Sequence, residues 1–270
     1  MMKTIGIVPV IASVIIVMII TGIGSGPSLS IVVIAYGQRS NANSSALGNT
    51  APKKLLPVLL IHGYLSDATI WNKWQDLLKK DGIPAFPITF QQLDDKCGSA
   101  ADHAKELLKK IGEIKSETGQ NRVNIVGHTK GGLDARVYLA NRTPDVANLI
   151  MIGTPNAGSP LAQSSNRCAP AIYDLKSGAA DTLIKMNPNT KYYTIAGNWN
   201  PSLGNCPLSL FLPLEQMGYN NLPKPNDGLV PVSSVESQGY FHSLGHTNSC
   251  HTNVLSEYEY GLARDILFGK

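Results

Sequence analysis

A threonine hydroxyl held between two glycines, with an apolar strand before it and a helix after it, is an arrangement suited to acyl transfer. The stretch is Val123-Asn-Ile-Val-Gly-His-Thr129-Lys-Gly-Gly-Leu-Asp-Ala-Arg-Val-Tyr-Leu-Ala140. Its Gly-x-Thr-x-Gly turn has the strand–turn–helix setting of a nucleophile elbow, in which the central hydroxyl is raised at the end of a sheet. Such a hydroxyl also needs an imidazole base, an acid that orients the imidazole, and N–H donors for the oxyanion. Thr129, Asp227 and His251 supply the first three in chain order. Asp227-Gly228 also reads as a turn dipeptide. His251 competes with His242 and His246, and is preferred because it lies beside Cys250 and leads directly into the last helix.

These residues must be positioned by a scaffold, and the hydrophobic pattern describes one. Pro57–Ile61, Ile83–Phe90, Val123–Val126, Asn148–Ile152 and Tyr192–Ala196 read as short buried strands. Trp71–Lys80, Ala101–Thr118, Leu133–Asn141 and Glu257–Phe268 read as helices; in the second, Ala104, Leu107, Leu108, Ile111 and Ile114 share a face. Strands alternating with helices imply a parallel sheet covered on both faces. Two long connections, Asn156–Asn189 and Asn198–Asn226, break the rhythm. Connections of that length in a compact domain usually serve binding. The Trp71/Trp74 pair reads as core and surface packing, and Asp134 and Arg136, early in the elbow helix, as structural.

Four segments carry a resemblance: Pro57-Val-Leu-Leu-Ile-His-Gly-Tyr64, Gly127-His-Thr-Lys-Gly-Gly-Leu-Asp-Ala-Arg136, Ile152-Gly-Thr-Pro-Asn-Ala-Gly-Ser159 and Asn226-Asp-Gly-Leu-Val-Pro231. In this order and at strand ends, they resemble the bacterial and archaeal triacylglycerol lipase group of α/β-hydrolases. The resemblance implies an α/β-hydrolase fold: a mostly parallel sheet, helices on both faces and lid-like insertions. It implies Thr129 as nucleophile, Asp227 as acid and His251 as base, with the backbone N–H groups of Tyr64 and Lys130 as the oxyanion hole. His62 and His128 match histidines that shape the elbow and the oxyanion loop. The implied activity is carboxylic ester hydrolysis through an acyl-enzyme, on hydrophobic acyl esters, with no cofactor and no metal. The two long connections would then cap the acyl pocket. Their apolar members Leu208, Leu210, Phe211, Leu212, Leu214 and Met217 either contact an acyl chain or pack internally.

The family pattern has serine where this chain has Thr129. Threonine keeps the hydroxyl, but a β-branched residue at positive φ costs about 1–3 kcal/mol, and its methyl restricts χ1 and crowds the tetrahedral intermediate. Slowed turnover is therefore expected, down to near silence. The alternative is a hydrolase-fold protein that only binds a hydrophobic or acylated ligand.

The remaining features bound the setting. The 270 residues are 43% hydrophobic and 16% charged, an ordinary globular composition. A net charge of +4, without basic runs interleaved with aromatics, gives no nucleic-acid signal. Residues 1–37 hold a lysine, an apolar run from Ile5 to Ile20 and a small-residue site at Ala35-Tyr36-Gly37, which reads as a signal peptide or an uncleaved N-terminal anchor. Residues 38–53 read as a flexible linker and 54–270 as the catalytic domain. The protein is then secreted or anchored on the outer face of the cytoplasmic membrane, where it meets a small-molecule or lipid ester and contacts a membrane or lipid interface. Oligomeric state is not legible. In an exported chain, Cys97, Cys168, Cys206 and Cys250 are expected to form two disulfides, in one of three connectivities.

Overall fold

The computed structural model describes residues 54–90, 96–141, 143–179, 185–203, 206–207 and 211–270. The leader or anchor expected over 1–37 and the linker expected over 38–53 lie outside the described residues, as do Leu208 and Leu210. Among the described residues no helix is long and apolar enough to cross a membrane.

The sheet is built from β1 (Val58–Ile61), β2 (Ala85–Pro87), β3 (Val123–His128), β4 (Val146–Ile152), β5 (Lys191–Gly197) and β6 (Phe241–Thr247), in the order β2-β1-β3-β4-β5-β6. Every neighbouring pair is parallel. The central strands are continuous apolar runs because both faces are buried. Alternate residues feed the two faces. Leu59, Ile61, Ile125, Leu149 and Met151 join one core with Leu107, Ile111, Ile114 and Tyr138. Val58, Leu60, Val126, Ile150 and Ile195 join the other with Trp71, Trp74, Tyr260 and Ala263.

The helices are α1 (Asn72–Lys80), α2 (Ala100–Thr118), α3 (Lys130–Leu139), α4 (Ala171–Asp174), α5 (Leu212–Asn221), α6 (Val232–Val235) and α7 (Glu257–Leu267). Their ends follow local chemistry. Ser99 caps α2 by accepting the Asp102 N–H at 3.1 Å, and Gly119 ends it at φ 66°. Ser256 and Glu259 form a reciprocal capping box at the start of α7.

The structure corrects several expectations. The strand expected over Ile83–Phe90 is cut to Ala85–Pro87, because Pro84 and Pro87 bring no ladder N–H. The elbow helix starts at Lys130, directly after the turn, not at Leu133. Leu108 faces solvent, while the other four apolar residues assigned to its face are buried. Trp71 and Trp74 are both core, packed edge-to-face at 5.6 Å. Four elements were not anticipated: edge strand β6, α4 and α5 within the two long connections, and the short α6 after Pro231.

Candidate active site

Thr129 ends β3 and opens α3 at φ 47° and ψ −120°. The only other positive-φ non-glycine residues among those described are Leu65 and Cys168, so such backbone collects around this elbow and the chain facing it. The Thr129 N–H donates to Ile152 O at 2.9 Å, which fixes the turn to β4. The helix sits close on the sheet because residue 131 is glycine: a Cβ there would lie 2.4 Å from Ile61 O. A Cβ on Gly63 would lie 1.6 Å from Thr129 Cγ2. The threonine methyl thus occupies the space that a side chain at position 63 would need.

Asp227 lies fully buried in the turn between α5 and α6. Its Oδ1 accepts the N–H groups of Leu229 at 2.9 Å and Val230 at 2.6 Å. Its Oδ2 lies 2.6 Å from His251 Nδ1. The turn thus satisfies one carboxylate oxygen and leaves the other for the imidazole. The His251 N–H also donates to Asp227 O at 2.9 Å.

Burial pulls the His251 pKa down, but the charge and hydrogen bond of Asp227, with the charge of Glu215, outweigh it and hold the pKa above the ordinary histidine value. His128 goes the other way, to about 3, through burial and the nearby His251. As a neutral ring, its Nε2–H donates to His251 O at 3.3 Å. His246 is on β6, with Nε2 3.0 Å from Glu236 Oε1, and is partly exposed, as is the neighbouring position His242. The structure pairs His251 with Asp227 and places it on the same cavity as Thr129, and leaves His242 and His246 on the sheet edge.

The loop that carries Tyr64 is tied from two sides. Tyr64 donates its hydroxyl to Arg167 O at 2.7 Å, and Leu65 N–H donates to Lys96 O at 3.2 Å. Lys130 is the first residue of α3, where a helix leaves its N–H without an intrahelical acceptor. The Lys130 side chain is buried, with Nζ 2.5 Å from Asp134 Oδ1, and Asp134 Oδ2 lies 2.7 Å from His103 Nδ1. Arg136 Nη1 donates to Asn156 Oδ1 at 2.8 Å. Asp134 and Arg136 are thus held in buried polar contacts and do not line the cavity at Thr129.

A cavity of about 610 Å³ joins these groups, a size typical of small-ligand sites. Thr129, His251 and Tyr64 line it, together with Leu161 and Ile172 from the first long connection and Phe211 and Leu214 from the second. Leu212 and Met217 do not line it, and Met217 is exposed. No hydrogen bond joins the Thr129 hydroxyl to His251 among the described residues.

The cysteines pair as Cys97–Cys168 and Cys206–Cys250. Atoms of Cys206, Glu215 and Cys250 cluster within 4.8 Å of one another, in the manner of metal donors. Both sulfurs are consumed by the disulfide, however, leaving a single carboxylate. Buried Glu215 was missed by sequence reading; nothing in Leu-Glu-Gln-Met marks it.

Comparison with known proteins fits this geometry. The profile of the palmitoyl protein thioesterase family matches residues 57–202, more than half of the chain. The chain belongs to this family. The matched part of this palmitoyl protein thioesterase relative holds Tyr64, Thr129 and Lys130, while Asp227 and His251 follow it. Triacylglycerol lipases are also similar. That of Pseudarthrobacter phenanthrenivorans is 29% identical over 39% of this chain and 35% of its own length. That of Pseudomonas fragi is 32% identical over 39% and 36%. The match thus spans about a third of the length of these lipases. Among solved structures, a Bacillus licheniformis lipase in mature form aligns with a TM-score of 0.66 at 24% identity, covering 80% of this chain and 93% of that one. A metagenomic carboxyl esterase aligns with a TM-score of 0.60 at 16% identity, covering 85% and 79%. The fold is that of the α/β-hydrolases.

Proposed function

We propose that the protein hydrolyses carboxylic esters of apolar acids through an acyl-enzyme formed on Thr129. The observation that carries this reading is the 2.6 Å contact of His251 Nδ1 with Asp227 Oδ2, which leaves Nε2 for the cavity that Thr129 lines. Asp227 holds the imidazole as the Nδ1–H tautomer. His251 Nε2 takes the proton from Thr129 Oγ1 as the oxygen attacks the ester carbonyl. The N–H groups of Tyr64 and Lys130 receive the oxyanion. The protonated His251 gives its proton to the leaving alcohol, and water then releases the acid by the same steps in reverse roles. The absent Thr129–His251 bond is compatible with this, since such bonds are often long before substrate arrives. An acyl thioester presents the same carbonyl to the same atoms, and the family match makes it the second leaving group to assay.

The test is a fluorophosphonate probe followed by peptide mapping. Phosphonylation is expected on Thr129, lost in Thr129→Ala and strongly slowed in His251→Ala. A properly folded protein that takes no label overturns the reading. It would favour instead a protein that only binds an acylated ligand, for which the methyl of Thr129 packed at Gly63 is the supporting observation.

Phe211 and Leu214 supply apolar wall from the second connection, so chain length should be read there. Serine at both positions is expected to lower kcat/KM for a long-chain ester about tenfold more than for an acetyl ester, at about 0.8 kcal/mol per methylene no longer buried. Equal losses on both substrates, in a series of nitrophenyl esters, would show that these side chains do not meet the acyl chain.

A further inference from the structure

Resting on the ester hydrolase reading, we propose that Glu215 is a positioning residue for His251, a second carboxylate that fixes the histidine loop and supports the imidazolium formed during attack. Glu215 is 0% exposed on α5, outside the motifs that mark the elbow, the acid and the histidine. It bears on both neighbours of His251, one directly and one through a disulfide. Its Oε1 accepts the N–H of Thr252 at 2.9 Å. Its Oε2 lies 3.3 Å from the sulfur of Cys206, which is bonded to Cys250. The same helix bears on the acid loop: a Cβ on Gly228 would lie 2.8 Å from Glu215 O, and a Cβ on Gly218 would lie 1.8 Å from Gly228 O. One helix turn therefore packs against the residue after Asp227, accepts the N–H of the residue after His251 and lies beside the disulfide of the residue before it.

A buried carboxylate in this position does more than shape a loop. A charge removed from water acts at a low effective dielectric, so it favours the protonated ring across distances at which a surface charge is screened. The titratable groups facing His251 are Asp227 from the acid turn, Glu215 from α5 and His128 from the end of β3; His62, at the end of β1, acts on His128. Of these, Glu215 is the carboxylate that Asp227 does not already account for.

The experiment reads His251 directly by heteronuclear NMR titration of isotope-labelled histidine, alongside the pH profile of kcat/KM. Glu215→Gln keeps an acceptor for the Thr252 N–H and removes the charge. Glu215→Asp keeps the charge and withdraws it from the hydrogen bond. The His251 titration midpoint is expected to fall by about one unit in Glu215→Gln, with the acid limb of kcat/KM moving down alongside it and kcat falling about tenfold at unchanged KM. Glu215→Asp is expected to keep the midpoint near that of the native protein. A midpoint that is the same in Glu215→Gln as in the native protein overturns the proposal, as does a midpoint that falls equally in both variants. If Glu215→Asp unfolds, Glu215→Gln still decides by its own comparison with the native midpoint; if Glu215→Gln unfolds, Glu215→Ala, also uncharged, takes its place. The titration needs no turnover, so the role of Glu215 is tested even in a protein silent on esters.

Discussion

Thr129→Ser is expected to raise kcat on a short nitrophenyl ester by about 10- to 100-fold, and Thr129→Ala to lower it at least about 1000-fold. The gain follows from two features of one methyl. It is carried by a β-branched residue at φ 47°, where such side chains are rare, and it fills the space beside Gly63. Serine at the same backbone keeps Oγ and removes the group that fixes χ1 and crowds the tetrahedral centre. A displacement of about 1 Å from the productive geometry is worth on the order of 100-fold, which sets the size of the gain. In the proposed mechanism alanine leaves only the oxyanion donors and binding, which give a small residual rate. Steady-state kinetics on purified native, Thr129→Ser and Thr129→Ala proteins decides. A serine variant no faster than the native protein would mean that the threonine is accommodated at no cost. An alanine variant as fast as the native protein would remove residue 129 from the chemistry.

Gly63→Ala is expected to cost at least about 100-fold in kcat/KM, and Thr129→Ser is expected to recover most of it. A Cβ at 63 meets Thr129 Cγ2 at 1.6 Å, so either Thr129 or the loop before Tyr64 must move. Without that methyl the nearest contacts are His128 O at 3.0 Å and the Cβ of residue 129 at 3.1 Å. Those are tight but relieved by shifts of a few tenths of an ångström. The double variant should therefore come within about tenfold of Thr129→Ser alone, a coupling of well over 1 kcal/mol between two touching residues. The measurement is the double-mutant cycle in kcat/KM, with thermal unfolding as a control for folding. Additive losses would show that position 63 acts on the oxyanion loop and not through the methyl.

Much of this was legible in the sequence because the informative residues are local. The runs at β1, β3 and β4 are apolar on both faces, and their flanking glycines mark the turns. The elbow is a contiguous stretch, and Asp227 builds its own turn from the residues just after it. What was not legible arises from contacts between distant segments or from weak periodicity. β6 contains Gly245 and two histidines, lies at the sheet edge and is only partly buried, so it shows neither a continuous nor a clearly alternating pattern. α5 begins at Leu212-Pro213 in a stretch rich in Pro and Asn, and buries only Glu215 and Gly218, which is too narrow a stripe to read as amphipathic. Glu215 acquires its place through a hydrogen bond spanning 37 positions and a disulfide spanning 44. The pairing of the four cysteines likewise became definite only in three dimensions.

The Cys206–Cys250 bond also tethers two parts of the cavity to one another. One end is covalently attached to the residue before His251, and the other lies in the connection that leads into α5 and supplies Phe211 and Leu214 to the cavity wall. Any displacement of that wall is therefore passed through a covalent bond to the segment that carries His251, and the bond equally restrains the wall.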